Sequence, residues 1–158
     1  MRAIFLILCS VLLNGCLGMP ESVKPVSDFE LNNYLGKWYE VARLDHSFER
    51  GLSQVTAEYR ARNDGGISVL NRGYSEEKGE WKEAEGKAYF VNGSTDGYLK
   101  VSFFGPFYGS YVVFELDREN YSYAFVSGPN TEYLWLLSRT PTVERGILDK
   151  FIEMSKER

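Results

Sequence analysis

From Lys37 to Arg139 the chain repeats one pattern eight times: a short segment that is apolar on alternate positions, then a few residues rich in Gly, Asn, Asp, Ser or Pro. The clearest copy is QVTAEYRAR. It sets Val55, Ala57, Tyr59 and Ala61 on one side and Thr56, Glu58, Arg60 and Arg62 on the other. A period of two belongs to strands, whose successive side chains point to opposite faces. The NDGG that follows at 63–66 is hairpin chemistry, since Asp-Gly and Gly-Gly accept positive φ. The other segments are KWYEVARL, ISVLNRGY, EWKEAEGKAYFV, YLKVSFF, YVVFEL, YSYAFVSG and YLWLLSR. Regularly spaced short strands predict a sandwich or a barrel. Short connections with no crossover helix narrow this to an all-β, eight-stranded, up-and-down antiparallel barrel.

After SRTP the period changes. Ile147, Leu148, Phe151, Ile152 and Ser155 recur at three- and four-residue intervals, which predicts an amphipathic helix from about residue 143 to the end, with Thr142 as its cap. Its apolar stripe is expected to pack outside the sheet. A closed eight-stranded sheet either fills its interior with side chains or encloses one small ligand. Alternation assigns the interior to Ala57 and Tyr59, then Val69 and Asn71, then Ala88, then Leu99, Val101 and Phe103. The later strands contribute Tyr111 and Val113, Tyr123 and Phe125, and Tyr133 and Trp135. The set is apolar, with several hydroxyls and one amide and without a cluster of cations. It suits an acyl chain or another elongated apolar ligand. It serves equally as a plain core.

The first residues are of another kind. Arg2 precedes an apolar run from Ala3 to Leu13, too short to span a membrane as a helix and typical of a secretory signal. The LLNGC that closes it resembles a bacterial lipobox, so residues 1–15 read as a signal peptide and Cys16 as the acylated N-terminus of the mature chain. Leu17 rather than Asp follows the cysteine, which implies sorting to the outer membrane. Residues 16–33, polar with two prolines, read as a lipidated tether, and 34–158 as the folded domain.

The net charge of −4 gives no basic face for nucleic acid. Nucleophilic catalysis has little to work with: no Gly-x-Ser-x-Gly stretch occurs and His46 is the sole histidine. One histidine and no spare thiol make no zinc site, and no cofactor is called for. Glu76–Glu77 and the Glu83/Glu85 pair read as solvated charge. A lipid-modifying enzyme and a structural lipoprotein with a filled barrel are the alternatives to a container. His46, Phe48, Glu49 and Arg50 fall in the loop after the first strand, at the mouth, as a lid over ligand or as a solvated loop. Arg43 or Arg50 could meet a carboxylate or phosphate head group.

GKWYE, with Gly36 and Trp38, resembles the first signature of the lipocalins. LDREN around Asp117 resembles the second, with Leu116 and Glu119 replacing its usual Thr and Tyr. LLSRTP supplies the arginine of the third, Arg139. YLGKWYEVARLDHSFERGL, EGKAY, KVSFFGPFYG and YLWLLSRTP are similar to the bacterial lipocalins, relatives of apolipoprotein D. The resemblance implies a calyx-shaped barrel with Arg139 across Trp38 at its closed end. It also implies an outer-membrane lipoprotein that stores or transports fatty acids or lysophospholipids, maintains the membrane under stress, and forms a homodimer. Family members carry a short strand after the C-terminal helix; the sequence printed here ends at Arg158.

Overall fold

The computed structural model describes residues 17–158. Eight strands close into one barrel in sequence order: β1 (Gly36–Arg43), β2 (Leu52–Ala61), β3 (Ile67–Ser75), β4 (Glu80–Phe90), β5 (Tyr98–Phe104), β6 (Phe107–Leu116), β7 (Tyr123–Ser127) and β8 (Leu134–Ser138). Every neighbouring pair is antiparallel, and β1 closes onto β8 with Tyr39 opposite Ser138. The expected fold class and strand count are therefore observed. Closure leaves no unpaired edge.

The registers follow the turns. Asp64 holds the β2–β3 hairpin by accepting from Gly66 N (2.9 Å), the Tyr89 hydroxyl (2.9 Å) and Arg62. Asp117 organises the β6–β7 turn by accepting from the amides of Glu119, Asn120 and Ser122 and from the Ser122 hydroxyl. Those donors, the Ser122 hydroxyl first, pull the Asp117 carboxyl below its usual range. Bulges in β1 between Glu40 and Ala42, in β2 between Ser53 and Thr56, and in β6 between Val113 and Glu115 bend the strands where the barrel curves.

Two aromatic-rich cores result. One fills the lower interior around Trp38, Tyr34, Phe29 and Val113. The other lies outside the sheet, where α2 (Arg145–Lys156) covers β6, β7 and β8. There Phe151 meets Phe125 edge-on, with ring centroids 5.1 Å apart, and Ile147, Leu148 and Met154 pack beside it.

The helix differs from expectation at its start and along its stripe. It begins after Glu144, whose side chain makes no capping bond. The Thr142 carbonyl instead accepts from the Thr140 hydroxyl. Ile152 is largely exposed, and Met154 takes the fourth apolar position.

The segment before β1 is not a free tether over its described part. Val23, Val26 and Phe29 are buried. Val26 ties β6 to the β4–β5 connection: its N–H donates to Val113 O (2.8 Å) and its carbonyl accepts from Gly97 N (2.9 Å). A Cβ on Gly97 would stand 2.8 Å from the Val26 side chain, so this approach requires glycine. A short helix, α1 (Leu31–Tyr34), then crosses the closed end. Apolar residues at 23, 26 and 29 among prolines have no regular period, which is why composition alone read the stretch as polar. Cys16 and the signal segment lie outside the described residues.

Candidate functional site

The closed end is built from the three signature residues. Trp38 is wholly buried, and its indole N–H donates to Tyr34 O at 2.8 Å. The Arg139 guanidinium lies 3.9 Å from the indole centre. It donates to the carbonyls of Lys37 (2.9 Å), Asn33 (2.8 Å), Leu35 (3.0 Å) and Tyr121 (3.2 Å). A planar fork with five donors can lie flat on a ring and bond backbone in several directions at once; an ammonium has three donors and no plane to stack. Gly36 sits at φ +97°, and a Cβ there would come 3.5 Å from Arg139 Nη1. The first strand thus starts with a conformation L side chains rarely adopt, directly under the arginine.

Above this floor lies a cavity lined by Ala57, Val69, Ala88, Leu99, Val101 and Phe103, with the Asn71 amide, Tyr59 and Tyr111 among them. Its volume is about 100 Å³, smaller than the roughly 300–1,000 Å³ of an ordinary small-molecule pocket. Hydroxyls cross it low down: Tyr111 bonds Tyr34 at 2.7 Å and Tyr59 at 2.9 Å. Burial raises the pKa of all three. Three neutral hydroxyls joined by two bonds use two of their three protons, which leaves one O–H to donate to a ligand oxygen.

The upper wall is polar. Glu40 and Glu49 both face the cavity. Trp135 Nε1 donates to Glu49 Oε2 at 3.0 Å, and His46 Nε2 lies 2.6 Å from the same oxygen. Burial and the neighbouring Glu49 push the Glu40 carboxyl up to about 8, although Arg43 bonds it at 2.8 Å. A protonated Glu40 removes one of two negative charges from the mouth, so an acidic head group meets less repulsion there. Burial pulls His46 down, which favours the neutral ring.

Ten of the fourteen positions assigned to the interior from alternation line the cavity: Ala57, Tyr59, Val69, Asn71, Ala88, Leu99, Val101, Phe103, Tyr111 and Trp135. Val113 points inward but packs in the lower core beside Val26 and Gly97. Tyr133 sits on the rim, 5.5 Å from the His46 ring centre. Tyr123 and Phe125 are corrections: both face outward under α2, and Ala124 and Val126 point in. The β6 bulge shifts the register by one residue, and both faces of YAFVS are apolar because the helix covers the outer one. A strand buried on two sides carries no parity to read.

Neither arginine offered for a head group is free to take one. Arg43 is held by Glu40 and the carbonyls of Glu49 and Leu52, and Arg50 pairs with Asp45 in solvent. Alternation also missed Phe29, Leu31 and Tyr34, which enter from the segment before β1, and Glu40, which shares the inward parity of Trp38 on β1. Phe48, at the rim, does line the cavity. Among the described residues no three His, Cys, Asp or Glu side chains gather as a metal site.

The closed meander thus forms a calyx, its hollow sealed below by an arginine-clamped tryptophan and polar above. Residues 29–158 match the family model described as a lipocalin-like domain, and the chain belongs to the lipocalin family. It is 99% identical, over all 158 of its residues and 92% of the relative, to the outer membrane lipoprotein Blc of Vibrio cholerae serotype O1. The protein of that name from Escherichia coli K12 is 52% identical over 136 residues, 86% of this chain and 76% of the relative. Among solved structures, insecticyanin from the tobacco hornworm Manduca sexta superposes with a TM-score of 0.69 at 24% identity, covering 88% of this chain and 79% of insecticyanin.

Proposed function

We propose that this lipocalin is an outer-membrane lipoprotein, acylated at Cys16, that takes the acyl chain of a fatty acid or lysophospholipid into its barrel and stores or transports it during membrane maintenance under stress. Its place at the outer membrane follows its 99% identical relative. The observation that carries the ligand class is the cavity itself: a narrow apolar shaft between a sealed floor and a polar mouth. Apolar walls hold methylenes at about 0.8 kcal/mol each. The tyrosine hydroxyls below and protonated Glu40 above give oxygen-bearing ends a partner. The family is one of binding proteins, which favours binding rather than turnover.

Native mass spectrometry of the protein purified from cell membranes tests this reading. Bound species with the masses of fatty acids or lysophospholipids are expected. A chain that carries acyl groups on Cys16 but co-purifies with no lipid, and takes none when offered, would contradict it.

A further inference from the structure

Hydroxyls buried at the bottom of an apolar shaft need partners. Tyr34 and Tyr59 are buried, and Tyr111 packs against the same core. All three line the cavity, with the Tyr111 hydroxyl 2.7 Å from that of Tyr34 and 2.9 Å from that of Tyr59. Neighbouring rings hold these oxygens in place. Tyr34 lies 4.8 Å from the Trp38 ring centre and 5.0 Å from that of Phe29, and Tyr59 meets Tyr111 edge-on at 6.1 Å. Whichever way the three O–H groups turn, two bonds take two protons and one O–H is left over. None of the three has another hydrogen-bond partner among the described residues. Burial keeps the phenols neutral, so the leftover proton stays in place.

A second polar group stands one inward step higher. Val69 pairs with Tyr59 and Asn71 with Ala57, and two residues along a strand span about 7 Å. Asn71 lines the cavity, and its side-chain amide makes no hydrogen bond among the described residues.

The methyl end of an ordinary acyl chain, pushed to this floor, covers the leftover O–H and gives it no acceptor, which is unfavourable for a buried donor. A carboxylate there would bury a full charge against one spare donor, so the ionised end belongs at the polar mouth and the far end of the chain at the tyrosines. A hydroxyl on that far end satisfies the floor. Its oxygen accepts the leftover proton, and its own O–H finds a lone pair on a tyrosine oxygen or on the Asn71 side-chain oxygen.

We infer that the Tyr34, Tyr111 and Tyr59 hydroxyls form a subsite for an oxygen carried at the far end of the acyl chain, so that the barrel selects hydroxylated chains over plain chains of the same length. The inference rests on acyl-chain binding inside the barrel as proposed above.

Isothermal titration calorimetry of delipidated protein tests it, with the even-numbered acids from octanoic to octadecanoic and the ω-hydroxy derivative of each. At the length that spans mouth to floor, the ω-hydroxy acid is expected to bind about tenfold more tightly than its plain counterpart; a chain too short to reach the tyrosines shows no such gain. Replacing one tyrosine still leaves an O–H over, so all three are changed together. In Tyr34→Phe/Tyr59→Phe/Tyr111→Phe the gain is expected to vanish. Should that variant fail to fold, the series in the parent protein decides alone. Hydroxylated acids that bind no more tightly than plain ones at every length overturn the inference and leave acyl-chain binding standing. A gain that survives in the folded triple variant also overturns it, because the hydroxyl is then met elsewhere. Failure of plain and hydroxylated acids alike to bind overturns the reading of the barrel as an acyl-chain site, and this inference with it.

Discussion

Arg139 does at one point what a barrel end otherwise needs several side chains to do. Four carbonyls from two parts of the chain converge on it, and its plane caps the Trp38 ring. Charged hydrogen bonds of this kind contribute about 1.5–3 kcal/mol, and the stacking about 1 kcal/mol more. Arg139→Ala is expected to lower unfolding free energy by about 3 kcal/mol in urea titrations, and Arg139→Lys to recover less than half of it. Glu40 gives a pH signature. Its folded-state pKa of about 8 lies above the ordinary value of 4.5. The unfolded chain therefore releases this proton first, and stability is lost as pH rises through that window. Urea midpoints measured at pH 5 and pH 8.5 are expected to differ less in Glu40→Gln than in the parent protein.

The elements differ in how plainly their residues announce them. β2 and β5 separate polar from apolar residues cleanly, so their inward faces were legible residue by residue. β7 is buried on both sides, and the β6 bulge before it moves the register, so parity there gave Tyr123 and Phe125 the wrong face. This assignment makes a paired prediction. Phe125→Ala removes a ring from under α2 and is expected to cost about 3–4 kcal/mol of stability while lipid affinity stays within about twofold. Val126→Phe intrudes on the cavity and is expected to weaken lipid binding about tenfold with a smaller loss of stability. Denaturation and ligand titration of the two variants check both. The short segment before β1 is the other illegible element. Its buried residues are placed by backbone bonds to Gly97 and Val113, partners about 70 to 90 residues away that no local pattern reveals.

At the scale of the molecule the same closure that removes strand edges creates an inside, and its two ends are built differently. One is shut by Trp38, Arg139 and α1; the other is open between polar and aromatic side chains. The closed meander and its sealed floor were readable from alternation and from three short signatures. The hollow was not, since side chains that line a cavity and side chains that fill a core alternate alike, and only their packed volumes separate the two. The most direct measurement is a titration of delipidated protein with a fluorescent fatty-acid analogue, read by quenching of Trp135 at the cavity wall, in the parent and in Val101→Trp. Saturable quenching in the parent and at least about tenfold weaker binding in the folded variant are the predicted results. Absence of quenching in the parent, or equal affinity in the two, would contradict a ligand held inside the barrel.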